Sequence, residues 1–228
     1  MDDRDDPGPV LVGVEDPDHV QQLVRTAGDL ARLGSGTVRL VTVAVKPTDS
    51  PFSVFDDETI SSEFADDSHD LLTRATPPEG VTVERDVVVG RSVARGLLSA
   101  VEETDPAALV VGWRGGARTN AVLGTTVDTL VEHAACDLYV ERIGREANGV
   151  DSVLLPVAGG PHVDAAAAVA KAVAARNDAR VVVLSVATGD AGVDRAAAFL
   201  DGARTAVATA PGPDVPVRTT LTEAADVT

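Results

Sequence analysis

Residues 110–126 read VVGWRGGARTNAVLGTT. Gly112, Gly115 and Gly116 follow an apolar, β-branched run, and Gly124-Thr125-Thr126 stands where a helical period begins. Glycine lets a backbone come close to a ligand. The free N–H groups of a helix start, with the helix dipole, favour an anion such as phosphate. Thr125 and Thr126 add hydroxyl donors, and Arg114 and Arg118 add local positive charge. The chemistry this composition suits is anion holding. No Ser-His-Asp order, H-E-x-x-H pattern or catalytic carboxylate pair can be argued from spacing, so the chain reads as a non-enzyme. His19 and His162 have no Cys or His partner at metal spacing, which argues against zinc. His133 suits a helix C-terminus. Cys136 is alone and reads as a small buried residue, with no disulfide framework.

The elements that position this loop alternate between strand and helix. Residues 10–14 (VLVGV) form a short run of the kind buried on both faces of a parallel sheet. Pro17 suits a helix start, and Val20, Leu23, Val24, Ala27, Leu30 and Ala31 make one helical stripe that Gly34 and Gly36 end. A strand is predicted over 38–45, a polar loop over 48–57, a helix near 58–74 and a strand over 81–89. Ser92 is an N-cap candidate for the next helix, which Asp105-Pro106 stops. A fourth strand over 107–111 ends at Gly112. A helix near 126–134 and a strand over 137–141 complete the set. The alternation implies an α/β fold with an open, doubly wound, mostly parallel five-stranded sheet in the order 3-2-1-4-5. In such a sheet ligands bind at the carboxyl ends of the strands where the order reverses, between strands one and four.

The pattern restarts after a linker over 144–149. Residues 150–174 (VDSVLLPVAGGPHVDAAAAVAKAVA) echo PVLVGVEDPDHVQQLVRTAGDLA, with strands predicted over 181–186 and 215–221 and a helix over 191–208. The expected organisation is therefore a complete domain over 1–143 and a partial second copy over 150–228 with three strands. Such a copy leaves its first strand open on one side, as a truncated sequence would, or a sheet edge covered by another chain.

Of 228 residues, 36 are acidic and 19 basic, a formal net charge of −17. Non-specific nucleic-acid binding, which needs clustered Lys and Arg, is excluded. Lys46 and Lys171 are the only lysines. Acidic excess with almost no lysine indicates a protein kept soluble in high salt, where self-repulsion is screened. The start MDDRDDPGP has no apolar stretch and no run approaches a membrane span, so the expected location is the cytoplasm.

The glycine loop is neither a P-loop nor the dinucleotide fingerprint. It resembles the motif G-x2-G-x9-G-[S/T] of the universal stress protein (UspA-like) family. Gly112-Trp113-Arg114-Gly115 matches the first part and Gly124-Thr125 the second, with eight intervening residues where the family has nine. The resemblance, which includes VDTLVEHAACDLYVER, covers residues 9–143 in element order and implies an adenine nucleotide alpha hydrolase-like fold. It implies ATP, with Mg2+, on Glu15, Val43, Gly112, Arg114, Gly115, Gly124, Thr125 and Thr126. Glu15 matches the family's acidic residue near adenine, usually Asp, and Val43 its backbone contact. In the second copy Ala158 takes the acidic place and the glycine motif is absent, which implies no nucleotide there. Trp113 either packs over the loop or stacks on a base. Dimers through the fifth strand, or pairing between tandem copies, are implied as well. The loop and CDLYVERIG also resemble stress-protein domains of tandem haloarchaeal type that accompany amino-acid permeases, which implies a membrane transporter as an alternative partner.

Overall fold

The computed structural model describes residues 8–46, 65–113, 124–144, 149–188 and 192–224. The chain divides into two compact units, Met1–Glu146 and Ala147–Thr228.

The first unit contains β1 (Val10–Gly13), α1 (Val20–Ala31), β2 (Thr37–Val45), α2 (Ala65–Thr73), β3 (Thr82–Gly90), α3 (Val93–Thr104), β4 (Ala108–Trp113), α4 (Thr125–His133) and β5 (Asp137–Arg142). Its sheet has the order β3-β2-β1-β4-β5, as the alternation predicted. Every pairing is parallel. β1 lies at the centre, with Val10 on Val38 and on Ala108. A strand buried on both faces carries no polar side chain, which is why β1 reads VLVG. Side chains alternate between faces. Leu11, Val41, Leu109 and Val111 pack with Leu97, Ala100 and Val101 of α3 and with Val127 and Leu130 of α4. α1 lies against β1, β2 and β4.

Local signals account for the helix ends. Ser92 caps α3, its hydroxyl accepting the Arg95 N–H at 3.3 Å. Asp105 closes α3 in the left-handed region at φ 43°. Gly36, at φ 70°, turns the chain from α1 into β2. Two of the boundaries that differ from expectation have a local cause, and the start of a third expected element lies outside the described residues. β4 runs on through Gly112 to Trp113, because Gly112 and Trp113 continue the ladder with Glu141 and Arg142. α1 starts at Val20 rather than at Pro17, since residues 17–19 form a turn closed by the His19 N–H on the Asp16 carbonyl at 3.1 Å. Of the helix expected near 58–74, Ala65–Thr73 is described.

The second unit contains β6 (Ser152–Pro156), α5 (Val163–Arg176), β7 (Arg180–Thr188), α6 (Gly192–Thr209) and β8 (Val217–Ala224). Its parallel sheet has the order β6-β7-β8. Val153 pairs with Val181 as Val10 does with Val38, and Val181 with Val217 as Val38 does with Val83. Leu155, Val157, Val181 and Val183 form a core with Ala167, Ala170 and Ala174 of α5 and with Leu200, Ala203 and Val207 of α6. Lys171 is 1% exposed, its Nζ donating to the carbonyls of Ala210 at 2.6 Å and Ala208 at 3.4 Å beyond and at the end of α6. Orphan carbonyls at a helix C-terminus are a natural partner for a buried ammonium.

Candidate functional site

The site is built from the ends of β1, β2 and β4 and the starts of α1 and α4. At the end of β1 the ladder continues one residue further, the Val14 N–H donating to the Val41 carbonyl at 2.9 Å. Glu15 then stands exposed. The Asp16 carboxylate accepts the Asp18 N–H at 2.9 Å, which turns the chain into α1. Across the sheet, β4 delivers Gly112 and Trp113, and the Ile143 N–H holds the Trp113 carbonyl at 3.0 Å.

α4 supplies the anion-holding end. Gly124 is its N-cap at φ 97° and ψ 153°, a conformation that only glycine takes without strain. A Cβ there would meet nothing within 4 Å, so backbone shape rather than crowding selects the glycine. The first intrahelical bond runs from the Asp128 N–H to the Gly124 carbonyl at 2.9 Å. The N–H groups of Thr125, Thr126 and Val127 precede it, which leaves them without intrahelical acceptors.

Between these elements lies a cleft of about 800 Å3. Glu15, Val43, Gly112, Gly124, Thr125 and Thr126, all expected at the site, line it. Arg114 and Gly115 lie outside the described residues. Trp113 lines the wall.

Several contributors escaped the sequence reading. Gly13 needs its lack of a side chain, because a Cβ would stand 2.8 Å from Leu97 Cδ1. A glycine inside a strand run is the signal that could have found it. Gly112 works in the same way: a Cβ would lie 3.2 Å from Ile143 and 3.4 Å from Leu23, so its role is close packing of β4. His19, weighed in the sequence only as a metal ligand, lines the cleft. Among the described residues no His, Cys, Asp and Glu cluster could hold a metal ion.

Gln22 ties α1 to β5, its Nε2 donating to Glu141 Oε1 at 2.6 Å. Glu141 Oε2 is buried with no hydrogen-bond partner among the described residues. Cys136 is half-buried rather than fully buried, and burial followed by the Asp137 charge pushes its thiol up.

The corresponding place in the second unit is differently made. The Val157 N–H donates to the Leu184 carbonyl at 2.8 Å, as Val14 does to Val41. Ala158 and Gly159 then stand where Glu15 and Asp16 stand in the first unit. A Cβ on Gly159 would lie 2.5 Å from the Phe199 ring, so the aromatic side chain of α6 fills the space a side chain there would need.

The universal stress protein family matches residues 8–142. The chain belongs to that family. A universal stress protein from Archaeoglobus fulgidus DSM 4304 is 16% identical over 95% of this chain and 77% of that chain, with a TM-score of 0.59. The cytoplasmic domain of a prokaryotic cation chloride cotransporter is 14% identical over 96% of this chain and 79% of that chain, with a TM-score of 0.53. The universal stress protein from Archaeoglobus fulgidus in complex with dAMP is 20% identical over 58% of this chain and 96% of that chain, with a TM-score of 0.42. No curated protein matches the chain. The five-stranded order and the two solved structures with the higher TM-scores agree on the fold.

Proposed function

We propose that the first unit is a regulatory module that binds an adenine nucleotide, ATP or a relative of it, without dedicated catalysis. The observation that carries this reading is the cleft itself. It gathers Glu15 and Gly112 from strands one and four with Gly124, Thr125 and Thr126 from a helix start at the point where strand order reverses. Phosphates would sit on the amides of residues 125–127 and the two threonine hydroxyls. The base would lie toward Glu15 and the backbone at Val43, with Arg114 and Gly115 contributing from the loop, as the family motif implies. Mg2+ would be held by the phosphates and water, since the described lining offers only Glu15 and Asp16 as carboxylates. Binding would act on partners to the extent that it favours one state of the loop.

The second unit, on this reading, is the front half of another domain of the same kind without a nucleotide site. The chain is a salt-adapted, cytoplasmic protein of tandem haloarchaeal type. It pairs through β5, either with a second copy or with another domain in tandem. Among the described residues no helix is long and apolar enough to cross a membrane.

Trp113 is the only tryptophan and lies on the cleft wall, so its fluorescence is a direct reporter. Titration with ATP, AMP and dAMP in multimolar KCl, with and without Mg2+, should give a saturable change and raise the melting temperature. Gly124→Arg should abolish both. Absence of any change with all three ligands would overturn the reading.

A second reading comes from the fold shared with the cotransporter's cytoplasmic domain. The chain would dock on a membrane transporter, such as an amino-acid permease, independently of nucleotide. Retention of such a partner by Gly124→Arg, unchanged by ATP, would favour it over the first.

A further inference from the structure

The cleft is chemically two-sided. Val43, Val93, Leu97, Val111, Val127 and Leu130 line it, and all six belong to, or pack on, the core that α3 and α4 form against the sheet. The polar lining comes from other places: the carboxylates of Glu15 and Asp16 follow β1, and the hydroxyls of Thr125 and Thr126 open α4. Trp113 falls on the apolar side. β4 stays paired with β5 as far as Trp113, which lies opposite Arg142. The alternation that turns Leu109 and Val111 toward α3 and α4 therefore carries on to the indole. Trp113 is half-buried, and it is the only Phe, Tyr or Trp among the described residues lining the cleft. The core of this chain is built from Val, Leu and Ala, so a large flat ring at this place departs from the packing used elsewhere.

A nucleotide has two unlike ends. Its phosphates seek donors and a positive dipole, which the start of α4 offers. Its base is a flat ring with apolar faces, and an aromatic or apolar surface suits those faces. We propose that Trp113 and the apolar wall beside it form the base subsite of the cleft, the indole packing on a face of the base. This inference rests on the reading that the cleft holds a nucleotide. On it, Trp113 contributes affinity for the base and none for the phosphates. Stacking tolerates any base, because each has a π-face, so Trp113 sets how tightly a base is held rather than which base is chosen.

The test separates the two ends of the ligand, using the full chain with ATP, adenosine and inorganic tripolyphosphate. In wild type, adenosine and ATP should quench Trp113 fluorescence at saturation, whereas tripolyphosphate should bind and leave the emission unchanged. Calorimetry then compares variants, since it needs no indole. Trp113→Leu, which keeps an apolar side chain but no ring, should lose about tenfold in affinity for both ATP and adenosine. Its affinity for tripolyphosphate should stay as in wild type. Trp113→Phe, which keeps a ring, should remain within about threefold of wild type for all three ligands. A loss in Trp113→Leu shared equally by tripolyphosphate would overturn the proposal and make the indole a support for the glycine loop. Unchanged ATP affinity in Trp113→Leu would overturn it as well, while leaving the nucleotide reading in place. No binding of any of the three ligands by wild type would overturn both. The wild-type quenching decides the question even if a variant fails to fold: emission that responds to tripolyphosphate but not to adenosine would rule out a base against the ring.

Discussion

Leu11 and Leu154 occupy equivalent places in the two units, Leu11 pairing with Arg39 of β2 and Leu154 with Val182 of β7. Leu11 is fully buried, whereas Leu154 is 60% exposed. The difference comes from the neighbours each first strand acquires. β1 has β4 on its second side, and Leu11 is covered by residues of α3 and α4. β6 is the edge of its sheet, and α5 and α6 both pack on the opposite face, over Leu155 and Val183. Val182, Leu184 and Val186 accordingly alternate as half-exposed residues along β7. Charge divides in the same way. Met1–Glu146 holds 27 acidic and 13 basic residues, net −14, and Ala147–Thr228 holds nine and six, net −3. Among the described residues, the three strands of the second unit run in the order β6-β7-β8, with no reversal of strand order beside β6 such as β1 and β4 provide in the first unit.

The sharpest way to break this comparison is to cut the same side chain in both places. Leu11→Ala should cost about 3 to 4 kcal/mol, the loss of a fully enclosed leucine plus its cavity. Leu154→Ala should cost under about 0.5 kcal/mol, as exposed substitutions do. Urea unfolding followed by Trp113 fluorescence and by circular dichroism reports on the two. A loss above about 2 kcal/mol for Leu154→Ala would mean that something in solution covers the β6 face. The comparison would then need a missing partner.

A smaller effect tests the proposal that the second unit holds no nucleotide. Phe199 stands against Gly159 and is half-buried, so Phe199→Ala should cost about 2 kcal/mol, less than a fully enclosed aromatic. It should create no second nucleotide site, because Ala158 still lacks the carboxylate and no Gly-Thr helix start stands among the described residues of that unit. Calorimetry should give one nucleotide per chain before and after the substitution. Two per chain in either protein would undo the assignment of the cleft to the first unit alone.

Much of this was legible in the residues. The parallel, doubly wound sheet followed from the alternation of short β-branched runs with amphipathic stretches, and Gly124-Thr125 marked the helix start because φ 97° demands glycine. The identity of the cleft wall was less legible. Gly13 and Gly112 are explained by Leu97, Ile143 and Leu23, residues whose approach is fixed only by how α1 and α3 settle on the sheet. His19, read only as an improbable zinc ligand, gave no sign of the cleft, because sequence spacing cannot show that the start of α1 and the start of α4 border one cavity. Phe199 carried no signal at all, since its partner Gly159 lies in the turn after β6 and is met only through the way α6 settles on β7 and α5.

Tyr139 sharpens the comparison at its other end, on β5, which has no counterpart among the described strands of the second unit. Burial, with a further contribution from the Asp137 charge, pushes its phenol up to about 12. Below pH about 10, the ordinary value, folded and unfolded chains both keep the phenolic proton and stability is unaffected. Above it the unfolded chain loses that proton first, so the folded state holds more protons and stability falls as pH rises toward 12. The shift corresponds to at most about 2.7 kcal/mol, and partial exposure reduces the expected loss to about 1 to 2 kcal/mol. Tyr139 is the only tyrosine, so absorbance at the phenolate band follows its titration without interference from another phenol. Tyr139→Phe should lessen the fall in stability between pH 10 and 12 by that amount, measured in urea with the remaining side chains unchanged. An equal fall in the two proteins would show that β5 is open to water in solution, and that the first unit's far edge is as loosely covered as β6.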